Sequence, residues 1–162
     1  MIRELQNEEV YFLEEMFYES IVIDEGEKPS KEELLSRPEL QKYMHNWGRR
    51  GDVALVAEHN DKKVGAAWFR LFGDSEKGYG FVAETIPEIS IAITENYRGK
   101  GIGRNLMTQL IYKAKSEGFS ALSLSVSRLN QTAVSLYNQL GFEKVAEDST
   151  SDTMLLVFES CK

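Results

Sequence analysis

The sequence predicts an α/β (α+β) fold: one layered domain with a mixed central sheet of about seven strands and about four helices. Three observations lead there. Apolar residues switch between a period of 2 and a period of 3.6 along the whole chain, and each switch is marked by Gly, Pro, Asn or Asp. A chain of 162 residues with 42% hydrophobic content can bury one proper core. No linker, internal repeat or low-complexity stretch divides residues 1–162.

The elements follow in order. Residues 2–6 read as a strand and 8–23 as a helix, with Val10, Leu13, Phe17 and Ile21 at helical spacing. The polar run 24–29 breaks that helix. Ser30 then caps a second one, with Glu33 in capping-box position and an interruption at Pro38 before it continues to about Trp47. Residues 53–58 and 63–72 form a hairpin around Asn60-Asp61. Residues 73–80 read as a loop with an exposed, mobile tip. A strand over 88–94 leads through a glycine-rich turn into a helix over 101–117, whose Ile102, Leu106, Leu110 and Ala114 share a face and which Gly118 stops. Residues 121–127 form a buried strand, Asn130 caps a helix ending at Leu140 before Gly141, and strands over 142–147 and 153–159 close the domain.

Composition excludes several functions. A net charge of -7 argues against nucleic acid as a partner and is compatible with a cationic amine. There is no apolar run long enough to cross a membrane, so no membrane association is expected, and Met1–Leu5 starts as a strand with no leader segment. His45 and His59 lie at no metal-ligand spacing, so no metal is expected. The one cysteine, Cys161, permits no intramolecular disulfide and is read as a bystander, which suits a reducing, cytoplasmic setting.

The chemistry concentrates in Arg98-Gly99-Lys100-Gly101-Ile102-Gly103-Arg104. Free N–H groups at a helix start, backed by the positive end of its dipole, bind anions. Glycines let a phosphate approach, and three cations stand here against an acidic background. A bare turn with solubilising charges is the bland alternative. A Walker-type loop does not fit, because Gly101 rather than Ser or Thr follows Lys100. The dinucleotide fingerprint fails at Arg104 or at Asn105-Leu106.

The pattern that does match is Arg/Gln-x-x-Gly-x-Gly/Ala after a buried strand, filled by Arg98, Gly101 and Gly103. Downstream, Asn130-Gln131-Thr132-Ala133-Val134-Ser135-Leu136-Tyr137 and Gly141-Phe142 match N-x-x-A-x-x-L-Y…G-F. With both motifs in this order, the chain resembles the GNAT superfamily of N-acetyltransferases, most clearly between Ile86 and Val145. The resemblance implies a mostly antiparallel sheet, acetyl-CoA as cosubstrate and direct acetyl transfer to a primary amine in a ternary complex. The acceptor amine is unidentified, and a homodimer is one assembly that the resemblance allows. It also implies that residues 98–104 take the pyrophosphate. The pantetheine arm would pair along Ile91, Ala92 and Ile93, one of whose N–H groups would face the oxyanion, and Asn130, Ala133 and Tyr137 would contact the cofactor.

Tyr137 is the implied general acid, since a phenol with pKa near 10 is protonated at neutral pH. Its spacing with Ala133 and Leu140 fits a core aromatic equally well. The need for a base depends on the acceptor: a lysine ε-amine carries a handicap of roughly 4.6 kcal/mol at pH 7, an α-amine only about 1 kcal/mol. Glu88, directly or through a water, is the first candidate and Glu84 the reserve. In several relatives the basic glutamate stands one position earlier, where this chain has Pro87. Alternation then sends Glu88 to the opposite face unless a bulge intervenes, and an ordinary solvated glutamate is the rival reading. Trp47 and Tyr79, with Arg49, Asp52 and Trp68, are candidates for the acceptor side. The competing functional reading is a non-catalytic acyl-CoA sensor, and a nucleotide-binding regulatory domain is a third.

Overall fold

The computed structural model of the chain describes residues 1–23 and 26–159. The expectations for Cys161 and for Asp24 and Glu25 therefore lie outside the described residues. Seven strands form one sheet: β1 (Ile2–Glu4), β2 (Val53–His59), β3 (Lys62–Arg70), β4 (Glu88–Ile93), β5 (Ala121–Ser127), β6 (Glu143–Glu147) and β7 (Ser151–Val157). Their order is β1-β2-β3-β4-β5-β7-β6. Every neighbouring pair is antiparallel except β4 with β5. The helices are α1 (Val10–Ser20), α2 (Lys31–Leu35), α3 (Pro38–Gln41), α4 (Ile102–Ser116) and α5 (Gln131–Gln139).

Strand alternation divides the core into two clusters, one on each face of the sheet. Leu55, Ala67, Phe69, Ile89 and Leu122 meet the Leu106–Leu110–Ala114 stripe of α4 and Tyr137 of α5. Ala54, Val56, Ala66, Trp68 and Ala92 meet Phe12, Leu13 and Phe17 of α1 with Leu34 and Leu40 below. Each buried Leu or Phe contributes about 1.5–3 kcal/mol, so the sheet is pinned from both sides.

Local chemistry explains most element boundaries. Asn60 and Asp61 both take positive φ, 52° and 63°, as the tight turn between β2 and β3 requires. Ser30 accepts the Glu33 N–H at the start of α2, and Asn130 accepts the Ala133 N–H at the start of α5. The helix expected to run on to Trp47 stops at Gln41 instead. Beyond it, the carbonyls of Lys42 and His45 accept hydrogen bonds from the buried Arg70 guanidinium, and Asn46 turns to φ 53°. A tertiary cation has taken acceptors that further helical turns would have used.

Candidate active site

β4 and β5 pair only at Glu88 with Ser123 and Ile89 with Leu124. Beyond that point β4 continues along β3 to Ile93, while β5 continues along β7 to Ser127, and the two strands part. Thr94 gives its N–H to Val64 on the β3 side, and Pro87 gives its carbonyl to Ser123 on the β5 side. Backbone alternation therefore turns the N–H groups of Ile91 and Ile93 toward the opening. The wedge is part of a cleft of about 430 Å³ reaching from Phe17 of α1 and Ile21 just beyond it to Asn130 and Tyr137 at α5, with Glu88 and Ile91 along its walls. Ala92 points into the α1-side core, and Ala133 lies half-buried beside the α5 cap.

The glycine-rich loop stands at the end of β4. Gly99 and Gly101 take φ 75° and 84°, a region that side chains other than Gly seldom adopt. The first helical hydrogen bond of α4 runs from Asn105 to Gly101. The N–H groups of Gly99, Lys100, Gly101, Ile102, Gly103 and Arg104 find no partner among the described residues. Arg98 reaches back to donate to the Ile93 carbonyl at 2.9 Å, and Arg104 donates to Gln139 of α5. Gly103 is different from its two neighbours: its φ is ordinary, and a Cβ there would meet Leu136, Ile91 and Ile93 at a comfortable 3.9–4.0 Å. Glycine costs about 1 kcal/mol relative to alanine in a helix, and no contact within the fold demands it.

Tyr137 is 6% exposed, its ring 5.9 Å from that of Phe142, and its hydroxyl bonds to none of the described residues although it lines the cleft. Burial alone drives its phenol well above the ordinary value, so it stays protonated. The core reading and the cleft-lining reading are both true of this residue. The ring packs and the hydroxyl is free.

Glu88 is not a solvated glutamate. It is 4% exposed, on the face shared with Ala92, and the β3–β4 ladder runs past it without a bulge. Tyr43 donates to Oε2 at 2.5 Å and the Gly80 N–H to Oε1 at 3.1 Å. Burial pushes the carboxyl up to about 7; the Tyr43 and Gly80 hydrogen bonds and the Lys42 charge pull the other way. The loop expected to end in a mobile tip is exposed over Asp74–Lys77 and at Tyr79, whereas Gly78 and Gly80 are buried against this carboxylate and β5. A Cβ on Gly78 would lie 2.3 Å from Glu88 Oε1, and one on Gly80 2.6 Å from the Leu124 main chain.

The remaining candidates divide. Tyr79 lines the cleft and is 54% exposed. Trp47 does not line it: the Arg70 guanidinium lies 5.2 Å above its ring. Asp52 is consumed by Arg70, at 2.9 and 2.7 Å, and by the N–H groups of Gly48 and Arg49. Arg49 bonds to the Leu71 carbonyl and Glu76, Trp68 is core, and exposed Glu84 stands beside Gly73 outside the cleft. The sequence reading missed Tyr43. Nothing in its spacing marks it, and the Gly78-x-Gly80 pair, the sign of a close approach, was the one available hint.

No helix among the described residues is long and apolar enough to cross a membrane. The sequence profile of the Acetyltransferase (GNAT) family matches residues 10–142. A stretch of 97 residues, 60% of the chain, is 33% identical to the L-amino acid N-acyltransferase MnaT of Escherichia coli K12 and covers 54% of it. The chain thus spans about half the length, or less, of the curated relatives it matches. The fold superposes with a TM-score of 0.71 on the ribosomal-protein-alanine N-acetyltransferase of Brucella melitensis, at 22% identity over 98% of this chain and 99% of that one. It superposes with a TM-score of 0.68 on yncA of Salmonella typhimurium, a putative acetyltransferase crystallised with its cofactor acetyl-CoA, at 22% identity over 100% and 95%. With the split sheet and the glycine loop in place and the profile spanning both, this chain belongs to the GNAT acetyltransferase family.

Proposed function

We propose that the protein is an acetyl-CoA-dependent N-acetyltransferase that moves the acetyl group directly to a primary amine. The observation that carries this reading is the parting of β4 from β5. It turns the N–H groups of Ile91 and Ile93 away from β3, without a partner among the described residues, and Ile91 lines the same cleft as Tyr137 and Glu88. The unbonded amides from Gly99 to Arg104 would hold the pyrophosphate, and the unexplained glycine at 103 supports an outside group approaching there. The acyl-CoA-bound yncA structure supports the same cofactor.

The amine nitrogen attacks the thioester carbon while Glu88, or a water it orients, takes the ammonium proton. A carboxyl near 7 is poised to do this at neutral pH. The carbonyl oxygen gains charge facing the β4 N–H groups, where losing one such donor costs about 2.7–4 kcal/mol. Collapse breaks the carbon–sulfur bond, and Tyr137 protonates the leaving thiolate. Burial raises Tyr137, but it raises a thiolate forming beside it in the same sense, so the transfer stays feasible. The named relative makes amino acids the first acceptors to try. Tyr137→Phe is the test: kcat should fall about 100-fold or more, with acetyl-CoA affinity within twofold. Unchanged turnover would assign Tyr137 to packing alone.

A further inference from the structure

The base proposed above does not stand alone. Tyr43, in the turn after α3, is 5% exposed, its ring stacked on Phe17 at 5.1 Å and edge-on to Phe72 at 5.0 Å. Its hydroxyl oxygen accepts the Tyr79 N–H at 2.7 Å. With that acceptor position filled, its single proton points to Glu88 Oε2. The turn that carries it is in turn anchored by Arg70, which donates to the carbonyls of Lys42 and His45 on either side of it. A carboxylate has about four lone-pair sites. Tyr43 and Gly80 take one on each oxygen, and among the described residues nothing takes the remaining ones, which leaves them for a ligand.

We propose that Tyr43 is a positioning residue for Glu88: its hydroxyl selects which carboxylate lone pairs face the cleft and ties that choice to the 78–80 segment through the Tyr79 N–H. This rests on Glu88 being the base. A hydrogen bond to the charged form favours it, so Tyr43 also opposes the burial that pushes Glu88 up. The other groups around the carboxylate cannot replace it. Lys42 acts through space and donates to the Lys77 carbonyl. Arg70, opposite Glu88 on β3, is spent on Asp52 and the main chain. Arg37, Glu39 and Asp148 line the cleft around Tyr79, whose phenol they influence, and Tyr137 lines the cleft from α5. None of these four is hydrogen-bonded to Glu88 among the described residues.

Tyr43→Phe keeps the ring stack and removes only the hydroxyl. The expected result is a kcat lowered about tenfold with KM for acetyl-CoA within twofold. The acid limb of the pH–rate profile should move up by about one unit. A Tyr43→Phe/Glu88→Gln double variant should be no slower than Glu88→Gln alone. The independent readout is the Glu88 titration followed by 13C NMR of carboxyl-labelled glutamate, assigned by the resonance lost in Glu88→Gln. It reads the variant even where turnover is too slow to profile, and a midpoint raised by about one unit supports the proposal. If Glu88→Gln moves the acid limb to higher pH while Tyr43→Phe leaves limb and midpoint in place, Tyr43 is only packing and the inference falls with the base intact. If Glu88→Gln leaves the profile unchanged, the base reading itself fails and takes this inference with it.

Discussion

Glu9, in the turn between β1 and α1, and Glu88, on the central strand β4, are both carboxylates with little exposed surface, but Glu88 lies far deeper and their surroundings drive them in opposite directions. Glu9, 7% exposed, faces the Arg3 guanidinium through two hydrogen bonds of 2.7 and 2.6 Å, with Lys63 at 3.6 Å and the Gln6 N–H at 2.9 Å. Arg3 holds its carboxyl down to about 2. Among the described residues Glu88 receives hydrogen bonds from neutral groups alone, and burial holds it up at about 7. Burial sets the cost of a charge, and the partner's charge decides whether that cost is met. One carboxylate clamps β1 onto the sheet, since Arg3 also binds Glu58 of β2. The other is left with a proton affinity near the working pH.

Replacing each by its amide should separate the two most widely. Glu88→Gln is expected to lower kcat about 10²–10⁴-fold and to move the acid limb to the acceptor amine's own pKa. Glu9→Gln should leave kcat within twofold, and steady-state kinetics across pH 5–9 on both variants would check it. Equal losses would dissolve the distinction.

Stability against pH comes next in size. The folded state holds the Glu88 proton more tightly than the unfolded chain does, so its contribution is full below 4.5 and is lost as pH rises through about 7, by about 3 kcal/mol. Glu9 has the opposite sign: its contribution is present above 4.5 and is lost as pH falls through about 2. Urea unfolding should show a decline from pH 5 to 7 that disappears in Glu88→Gln. The gap between the parent protein and Glu9→Gln should narrow below pH 4.5.

Salt gives the smallest effect. Arg3 is partly exposed, so 1 M NaCl should shrink the Glu9→Gln stability difference by less than about 1 kcal/mol. The Glu88 acid limb should move only slightly, and upward, because its neutral donors are not screened and only the through-space Lys42 charge is.

Much of this was legible along the chain. The strand over 121–127 and the α4 stripe were plain, and the Asn130 cap lies three residues from its Ala133 partner. Gly101 is at the start of α4 as expected, one residue before its first helical position. The break at Pro38 falls between α2 and α3 as expected, but boundaries moved elsewhere: the second part of that helix stops at Gln41 instead of about Trp47, and the last strand runs over Ser151–Val157 instead of 153–159. Glu88 was named but not its state. Its donors lie 45 and 8 residues away in sequence, so neither period nor motif could report them. Trp47 was an aromatic beside a glycine, and only packing shows that it serves Arg70.

By itself, the order of residues determined the elements that depend on near neighbours. These are the caps, the tight turns, the amphipathic stripe and the glycine loop, because hydrogen bonds a few residues apart and side-chain periodicity are properties of a short segment. The tertiary structure alone decided where β4 leaves β5, and that Tyr43 and Gly80 would meet one carboxylate. Proton affinity follows from burial and charged neighbours, and both of those exist only after distant segments have come together.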